Sequence, residues 1–194
     1  MISSVTINYG GKTEENLKAD ASYKLWEAAA KATLYTRNLA NTRASIAKPD
    51  YMEKAVRDLV GDRSDVTITV VKGKELSDLG MNLFYAVGKG ANVEPRCVVA
   101  NYKGNPASDI IDIAFVGKGI TFDTGGLNIK PTGGMEPMFL DKHGACSVIG
   151  ALHGTLELGL KKNIVFAMGF AENSVDANSY IPSDIITSLK GLTV

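Results

Sequence analysis

The sequence predicts an α/β fold in which a mostly parallel sheet is flanked by helices. Two observations carry this prediction. Short runs of β-branched residues such as VTITVV at 66–71 have the composition of strands. Between them lie segments whose apolar residues recur at helical intervals, as from Pro49 to Gly61. Strands that alternate with helices in this way are typical of a parallel sheet covered by helices.

The first half of the chain is predicted to be mainly helical. Residues 5–9 predict a short strand, and Thr13 is predicted to cap a long helix that ends near Asn41. Pro49 suits the first turn of a second helix, and Gly61 suits its end. The strand at 66–71 is followed by a helical stretch at 74–87 that a glycine interrupts.

The second half is predicted to contain most of the sheet. Strands are predicted at 96–102, 109–116 and 163–170, and a further one at 184–189. A helix is predicted at 141–157, between the second and third of these strands. We find no internal repeat and no low-complexity segment.

Composition limits the class of protein. The chain has 194 residues, with 21 basic and 21 acidic side chains, so it lacks the positive charge that nucleic acids or acidic membrane surfaces attract. No apolar run reaches the roughly 18 residues of a membrane span, and the N-terminus lacks the pattern of a secretory signal. Two isolated cysteines, Cys97 and Cys146, favour a reducing compartment. We therefore expect a cytoplasmic protein that binds neither nucleic acid nor membrane.

A glycine-rich loop at 117–141 is the first place to look for chemistry, because it is predicted to leave the carboxyl end of a strand. Its charged residues include Lys118, Asp123, Lys130 and Asp141. Three interpretations compete: a solvated surface loop, a phosphate-binding loop and a metal site. The spacings of the Walker and GxGxxG phosphate-binding patterns are absent. Carboxylates are suitable ligands for hard metal ions, and a neutral lysine amine would be an unusual nitrogen ligand.

The run FVGKGITFDTGGLNIKPTGGMEPMFLDKHGACSVIGAL resembles the metal-binding stretch of the leucyl aminopeptidase family. The pattern of that family is VGKG, a hydrophobic residue, TFD, Ser or Thr, and GG. A lysine follows four residues later, and then M-x-x-M-x-x-D-x-x-GA. Every fixed element occurs here in register, and the resemblance extends over roughly residues 30–194. Such a long run is far more specific than a short motif.

The resemblance implies a role for five residues. Lys118 would bind one metal ion through its amine, Asp123 would bridge two ions, and Asp141 would complete one site and help to hold the free amino group of the substrate. Lys130 would be catalytic, contacting the scissile carbonyl and stabilising the oxyanion, and Met138 would line the pocket for the first side chain. The cofactors would be two divalent ions, of zinc, manganese or magnesium.

The two lysines would need opposite protonation states for these roles. A free lysine has a pKa of about 10.4, so Lys118 must lose its proton to bind a metal, and the charge of the ion makes this possible. Lys130 should stay protonated, because it meets negative charge.

Two departures of the sequence from the family pattern are relevant to the site. The family places two further metal carboxylates and a catalytic arginine in a segment resembling NTDAEGR, which this sequence lacks. Arg43, in the run NTRAS, interrupts a segment that resembles Pro-Ala-Asn in the family. We therefore expect residues 13–194 to form part of a catalytic domain, its N-terminal half, preceded by a remnant or linker at 1–12.

The resemblance implies a metalloaminopeptidase that removes leucine-like N-terminal residues from peptides. The complete protein would be a homo-oligomer, a hexamer by family resemblance, whereas this chain alone would lack activity. The alternative is a non-catalytic relative or fragment that serves as a structural or assembly component.

Overall fold

The computed structural model describes residue 11, residues 13–18 and residues 21–194. The predicted strand at 5–9 lies outside the described residues, and the domain boundary between residues 12 and 13 stays a prediction. The described helices are α1 (Glu14–Lys18), α2 (Ala21–Asn41), α3 (Pro49–Val60), α4 (Lys74–Asp78), α5 (Asn82–Gly88), α6 (Thr132–Met135) and α7 (His143–Leu158), with a 3-10 helix at Glu136–Leu140. The strands are β1 (Val66–Lys72), β2 (Arg96–Lys103), β3 (Ile113–Asp123) and β4 (Asn163–Asn173).

The predicted helix ends agree with the local chemistry of the chain. The Thr13 hydroxyl accepts a hydrogen bond from the backbone N–H of Asn16, as expected of a capping residue. Helix α3 begins at Pro49, and Gly61 ends it with a φ of 57°. The stretch predicted to be interrupted by a glycine is two helices, with Gly80 between them at a φ of 81°.

The α/β class with a sheet flanked by helices is confirmed, and three of the four described strands, β1, β3 and β4, run in the same direction. Within the described residues, the strands form one sheet in the order β1-β2-β4-β3. Strand β2 is the exception: it is antiparallel to its neighbours β1 and β4, so β3 and β4 are the one parallel pair of neighbours in the described sheet. The short helices α4 and α5 connect β1 to β2, and no helix lies between β2 and β3. Strands β2 and β3 run in opposite directions and are not neighbours, because β4 lies between them.

Two strand predictions need correction. Strand β3 extends to Asp123 rather than ending at 116, because β4 offers it a parallel partner along that length. Residues 184–189 do not join the sheet: they hold only an isolated bridge between Thr187 and Thr193. A tight turn at Gly191, with a φ of 86°, pairs this segment with the residues that follow it.

The main core lies on one face of the sheet. Alternate residues of β4, namely Phe166, Met168 and Phe170, are fully buried there against helices α2, α3 and α7. Gly169, between two of them, faces α5 instead, where an added Cβ would lie 3.2 Å from the Phe84 ring. Helices therefore cover both faces of the sheet. Neighbouring residues of β4 face different helices because successive side chains of a strand point to opposite faces. No described helix is long and apolar enough to cross a membrane.

Candidate metal centre at the carboxyl end of strand β3

Lys118 and Asp123 both lie on strand β3, not in a loop. The strand pairs Lys118 with Gly169 and Asp123 with Asn173 on the parallel strand β4. The register shifts between Ile120 and Asp123, so Asp123 follows an irregularity near the end of the strand. The site therefore forms where two parallel strands end side by side, as expected for an α/β sheet.

Two glycines bring strand β3 and helix α7 close together. An added Cβ on Gly117 would stand 2.6 Å from the Ala145 Cα, and one on Gly144 would stand 3.0 Å from the carbonyl oxygen of Lys118. Because neither glycine has a Cβ, the start of α7 packs directly on the strand backbone. This packing places Asp141, two residues before α7, beside Lys118.

Lys118 and Asp141 form the first of two lysine–carboxylate pairs. The Lys118 ammonium donates a hydrogen bond to Asp141 Oδ1. The lysine side chain is 61% exposed and the carboxylate 23% exposed, so the pair lies at the rim of the site. The backbone N–H of Asp141 donates to the carbonyl of Met138 over 3.3 Å. Met138 is half-buried in the 3-10 helix that leads to this carboxylate.

Asp123 and Lys130 form the second pair, with Lys130 Nζ 3.3 Å from Asp123 Oδ2. The other carboxylate oxygen accepts hydrogen bonds from the Gly125 backbone N–H at 2.9 Å and from Asn173 Nδ2 at 2.7 Å. Burial would raise the pKa of Asp123, but the Gly125 N–H, the Asn173 amide and Lys130 together lower it below its ordinary value. The carboxylate is thus held in the ionised form that binds cations.

A tight turn brings Lys130 back to Asp123. Gly125 and Gly126 have φ values of 88° and 69°, which side-chain-bearing residues rarely adopt. The backbone N–H of Lys130 donates to the carbonyl of Thr124 over 2.8 Å and closes the turn. The glycine pair of the sequence motif is therefore needed for the backbone to reverse between the strand end and Lys130.

The structure brings the predicted site residues together as two separate pairs. No hydrogen bond or ion pair between described residues joins the Lys118–Asp141 pair to the Asp123–Lys130 pair. No group of three or more His, Cys, Asp or Glu among the described residues is arranged to hold a metal ion. The donor set of two carboxylates and one amine suits a divalent cation in chemical type. It is too small to complete the coordination of two ions, which need about four ligands each.

Sequence reasoning missed Asn173, which fixes the Asp123 carboxylate. Its side-chain amide donates to Asp123, and its backbone carbonyl accepts from the Thr124 hydroxyl at 2.7 Å. A polar residue directly after the buried run of β4 was the available signal, because carboxyl ends of parallel strands meet at one edge. The carboxylate of the neighbouring residue, Glu172, forms an ion pair with Lys48, whose Nζ lies 2.7 Å from Glu172 Oε2.

The comparison with family models defines the class. The model described as "Cytosol aminopeptidase family, catalytic domain" matches residues 34–194, so the class of these residues is that of this catalytic-domain family. A probable cytosol aminopeptidase of Pseudomonas fluorescens is 41% identical over 167 residues, which cover 86% of this chain and 34% of that protein. A cytosol aminopeptidase of Vibrio cholerae is 39% identical over 158 residues, covering 81% of this chain and 31% of the relative.

Solved structures agree with the sequence relatives. The bottromycin maturation enzyme BotP in complex with Mn has a TM-score of 0.81 and 32% identity, covering 94% of this chain and 38% of that one. Leucyl aminopeptidase from Trypanosoma cruzi has a TM-score of 0.81 and 27% identity, covering 90% of this chain and 34% of that one. The chain belongs to the cytosol aminopeptidase family. It spans about a third of the length of the curated relatives that it matches.

Proposed function

We propose that this chain supplies part of the active site of a metal-dependent aminopeptidase that removes leucine-like N-terminal residues from peptides. One observation carries the proposal: the four charged residues of the family motif form two lysine–carboxylate pairs, one at the middle of β3 and one at its carboxyl end. Membership of the cytosol aminopeptidase family supports the reaction class. The names of the relatives support a cytoplasmic location.

Lys118, Asp123 and Asp141 are the proposed ligands of the metal ions. Asp123 is suited to this role because its second oxygen is paired with Lys130, while its first is fixed by hydrogen bonds from Gly125 and Asn173. Lys118 would have to give up its proton and its contact with Asp141 before its amine could coordinate. When bound, two divalent ions (zinc, manganese or magnesium) supply Lewis-acid polarisation and an activated water at neutral pH.

Lys130 has a different proposed task, although it also contacts a carboxylate. Its side chain is one-third exposed and its Nζ lies 3.3 Å from Asp123 Oδ2, so a positive charge is available inside the site. We assign it to the developing negative charge on the scissile carbonyl, where a preorganised cation stabilises the transition state. Met138, half-buried beside Asp141, is assigned to the pocket for the first side chain.

The complete protein would assemble its active site from more residues than this chain contains. We propose a homo-oligomer, a hexamer by family resemblance, with a peptide as its substrate. The alternative, a non-catalytic structural component, predicts the same fold without turnover.

Hydrolysis of leucine p-nitroanilide by the full-length protein tests the proposal. Activity should require Mn²⁺ or Zn²⁺, and excess chelator should abolish it. Asp123→Ala, which removes the central carboxylate, should abolish both turnover and stoichiometric metal binding, whereas Asp62→Ala, at an exposed position, should change neither. A folded full-length protein that hydrolyses no aminoacyl anilide with any of these metals would favour the structural alternative.

A further inference from the structure

Lys142 is fully buried and is among the largest buried side chains of the described residues. Its ammonium donates to three backbone carbonyls, those of Ala40 at 3.0 Å, Thr42 at 2.8 Å and Phe139 at 2.6 Å. A lysine ammonium has three N–H donors, so all of them are used. Burying a cation is costly unless such bonds compensate, and a neutral residue would avoid that cost. We therefore look for the role of the Lys142 ammonium in the segments that its three hydrogen bonds connect.

The bonds connect two segments that are distant in the sequence. Ala40 and Thr42 lie at the carboxyl end of α2, where helix carbonyls lack intrahelical partners and the helix dipole attracts cations. Phe139 lies in the 3-10 helix that ends just before Asp141. Lys142 thus fastens the segment that carries Asp141 to the end of α2.

Arg43 holds the same segment from the other side. Its guanidinium carbon lies 3.9 Å from the centroid of the Phe139 ring, which is a close cation–π contact. Phe139 is therefore held by its ring through Arg43 and by its carbonyl through Lys142. This contact gives a structural account of the arginine that interrupts the family pattern in NTRAS.

Asp141 is enclosed by these contacts. The bond from the Lys142 side chain to the Phe139 carbonyl spans the backbone of Asp141, and the Asp141 N–H is bound to Met138. The backbone of Asp141 therefore has little freedom, and its carboxylate is directed at Lys118. Rigid support of this kind is what a metal ligand needs, because metal affinity depends on how well its ligands are oriented in advance.

We propose that Lys142 and Arg43 are positioning residues, which hold the Asp141 carboxylate in place for the metal ion by fastening the 3-10 helix to the end of α2. The inference rests on the proposed function, since it assumes that Asp141 binds a metal. It goes beyond that function by assigning the support of the ligand to two cations that do not touch the metal themselves.

The test measures Mn²⁺ affinity by calorimetry and the free energy of unfolding by urea denaturation, both in the full-length protein. Lys142→Met keeps the length of the side chain but leaves the carbonyl groups without their donor. It should weaken Mn²⁺ binding by roughly 10–100-fold, the usual effect of removing a group that orients a ligand. Arg43→Ala should weaken binding by a smaller factor, and Arg43→Lys should recover part of the loss because a lysine also makes cation–π contacts.

A matched control separates positioning from general stability. Leu152→Ala removes a fully buried side chain of α7 that lies three turns beyond Asp141. It should lower the free energy of unfolding as much as Lys142→Met or more, while the folded protein keeps the parental Mn²⁺ affinity. If Leu152→Ala loses affinity in proportion to stability, as Lys142→Met does, the role of Lys142 is merely structural and the inference is wrong.

The remaining outcomes are equally decisive. Folded Lys142→Met with parental affinity would overturn the inference while leaving the proposed function intact. A parent protein that binds no Mn²⁺ would overturn the proposed function and the inference with it. If Lys142→Met does not fold, the two Arg43 variants decide: a loss in Arg43→Ala with recovery in Arg43→Lys supports positioning, and parental affinity in both contradicts it.

Discussion

Gly117 of β3 lies so close to Ala145 of α7 that a Cβ on the glycine would stand 2.6 Å from the Ala145 Cα. This contact sets the distance between the strand that carries Lys118 and the helix that follows Asp141. Gly117 is thus needed both for packing and for the site, because the close approach of β3 and α7 also brings Lys118 within reach of Asp141.

Gly117→Ala should therefore destabilise the fold. The added methyl group meets backbone rather than a flexible side chain, so we expect a loss of about 1–3 kcal/mol in the free energy of unfolding. Gly133→Ala is the matched control, since an added Cβ there meets nothing within 4 Å and its φ is not positive. Urea denaturation of both variants checks the prediction, which fails if the two are equally stable.

Substitutions of the two site lysines, Lys118 and Lys130, should have different effects on metal binding and turnover in the full-length protein. Lys130→Ala should reduce turnover by roughly 10²–10³-fold with metal content nearly intact, because one preorganised electrostatic contact is lost. Lys118→Ala should weaken metal binding directly, with activity partly recovered at high metal concentration. Lys118→Arg should not restore binding, because a guanidinium stays protonated. Metal stoichiometry and rate are measured side by side; the reverse pattern would refute both assignments.

Asn173→Ala should loosen the Asp123 carboxylate. The variant removes the 2.7 Å hydrogen bond to Oδ1 but leaves the Gly125 N–H and Lys130 in place. We expect metal affinity to fall by roughly 10–100-fold, with little change in the fold. Asn101→Ala, at an exposed position of β2, controls for loss of an amide in a strand. Equal affinities in the two variants would show that Asn173 does not support the ligand.

Residues 1–194 alone should show no aminopeptidase turnover. The described part of the chain offers two carboxylates and one amine at the site, with no cluster of three acidic or His and Cys ligands. Two ions held in a closed geometry need more donors than these. Leucine p-nitroanilide assays of the purified chain with added metal provide the check. Turnover that chelator abolishes would contradict the prediction.

Glu53 should make stability depend on pH. Burial opposes its charge, but hydrogen bonds from Arg57 and Arg96, both at 2.8 Å, lower its pKa below the ordinary value. A carboxyl group with a lowered folded-state pKa stabilises the protein above its unfolded pKa of about 4.3 and loses that contribution as the pH falls through the folded value.

Glu53→Gln should thus cost about 2 kcal/mol near pH 7, the usual scale of hydrogen bonds to charged groups. The difference from the parent should shrink as the pH falls from about 5 towards 3. Urea denaturation across this range is the measurement, with Asp62→Asn as the control for net charge. A difference that stays constant with pH would exclude an ionic role for Glu53.

The sequence by itself determined the family and those helices whose ends are marked by proline or glycine. Pro49 and Gly61 mark the ends of α3 because proline and glycine act through their own backbone preferences, whatever surrounds them. The run from VGKG to GA also determined which residues to examine, since its glycines and charges occur at fixed spacing.

Only the tertiary structure decided the strand directions and the partners of the site residues. The direction of β2 depends on which strand lies beside it, and β4 comes some 60 residues later in the chain. Asn173, Lys142 and Arg43 contact residues that are 50 or more positions away in the chain, namely Asp123, Ala40 and Phe139. Local spacing carries no information about such contacts, because packing between elements creates them.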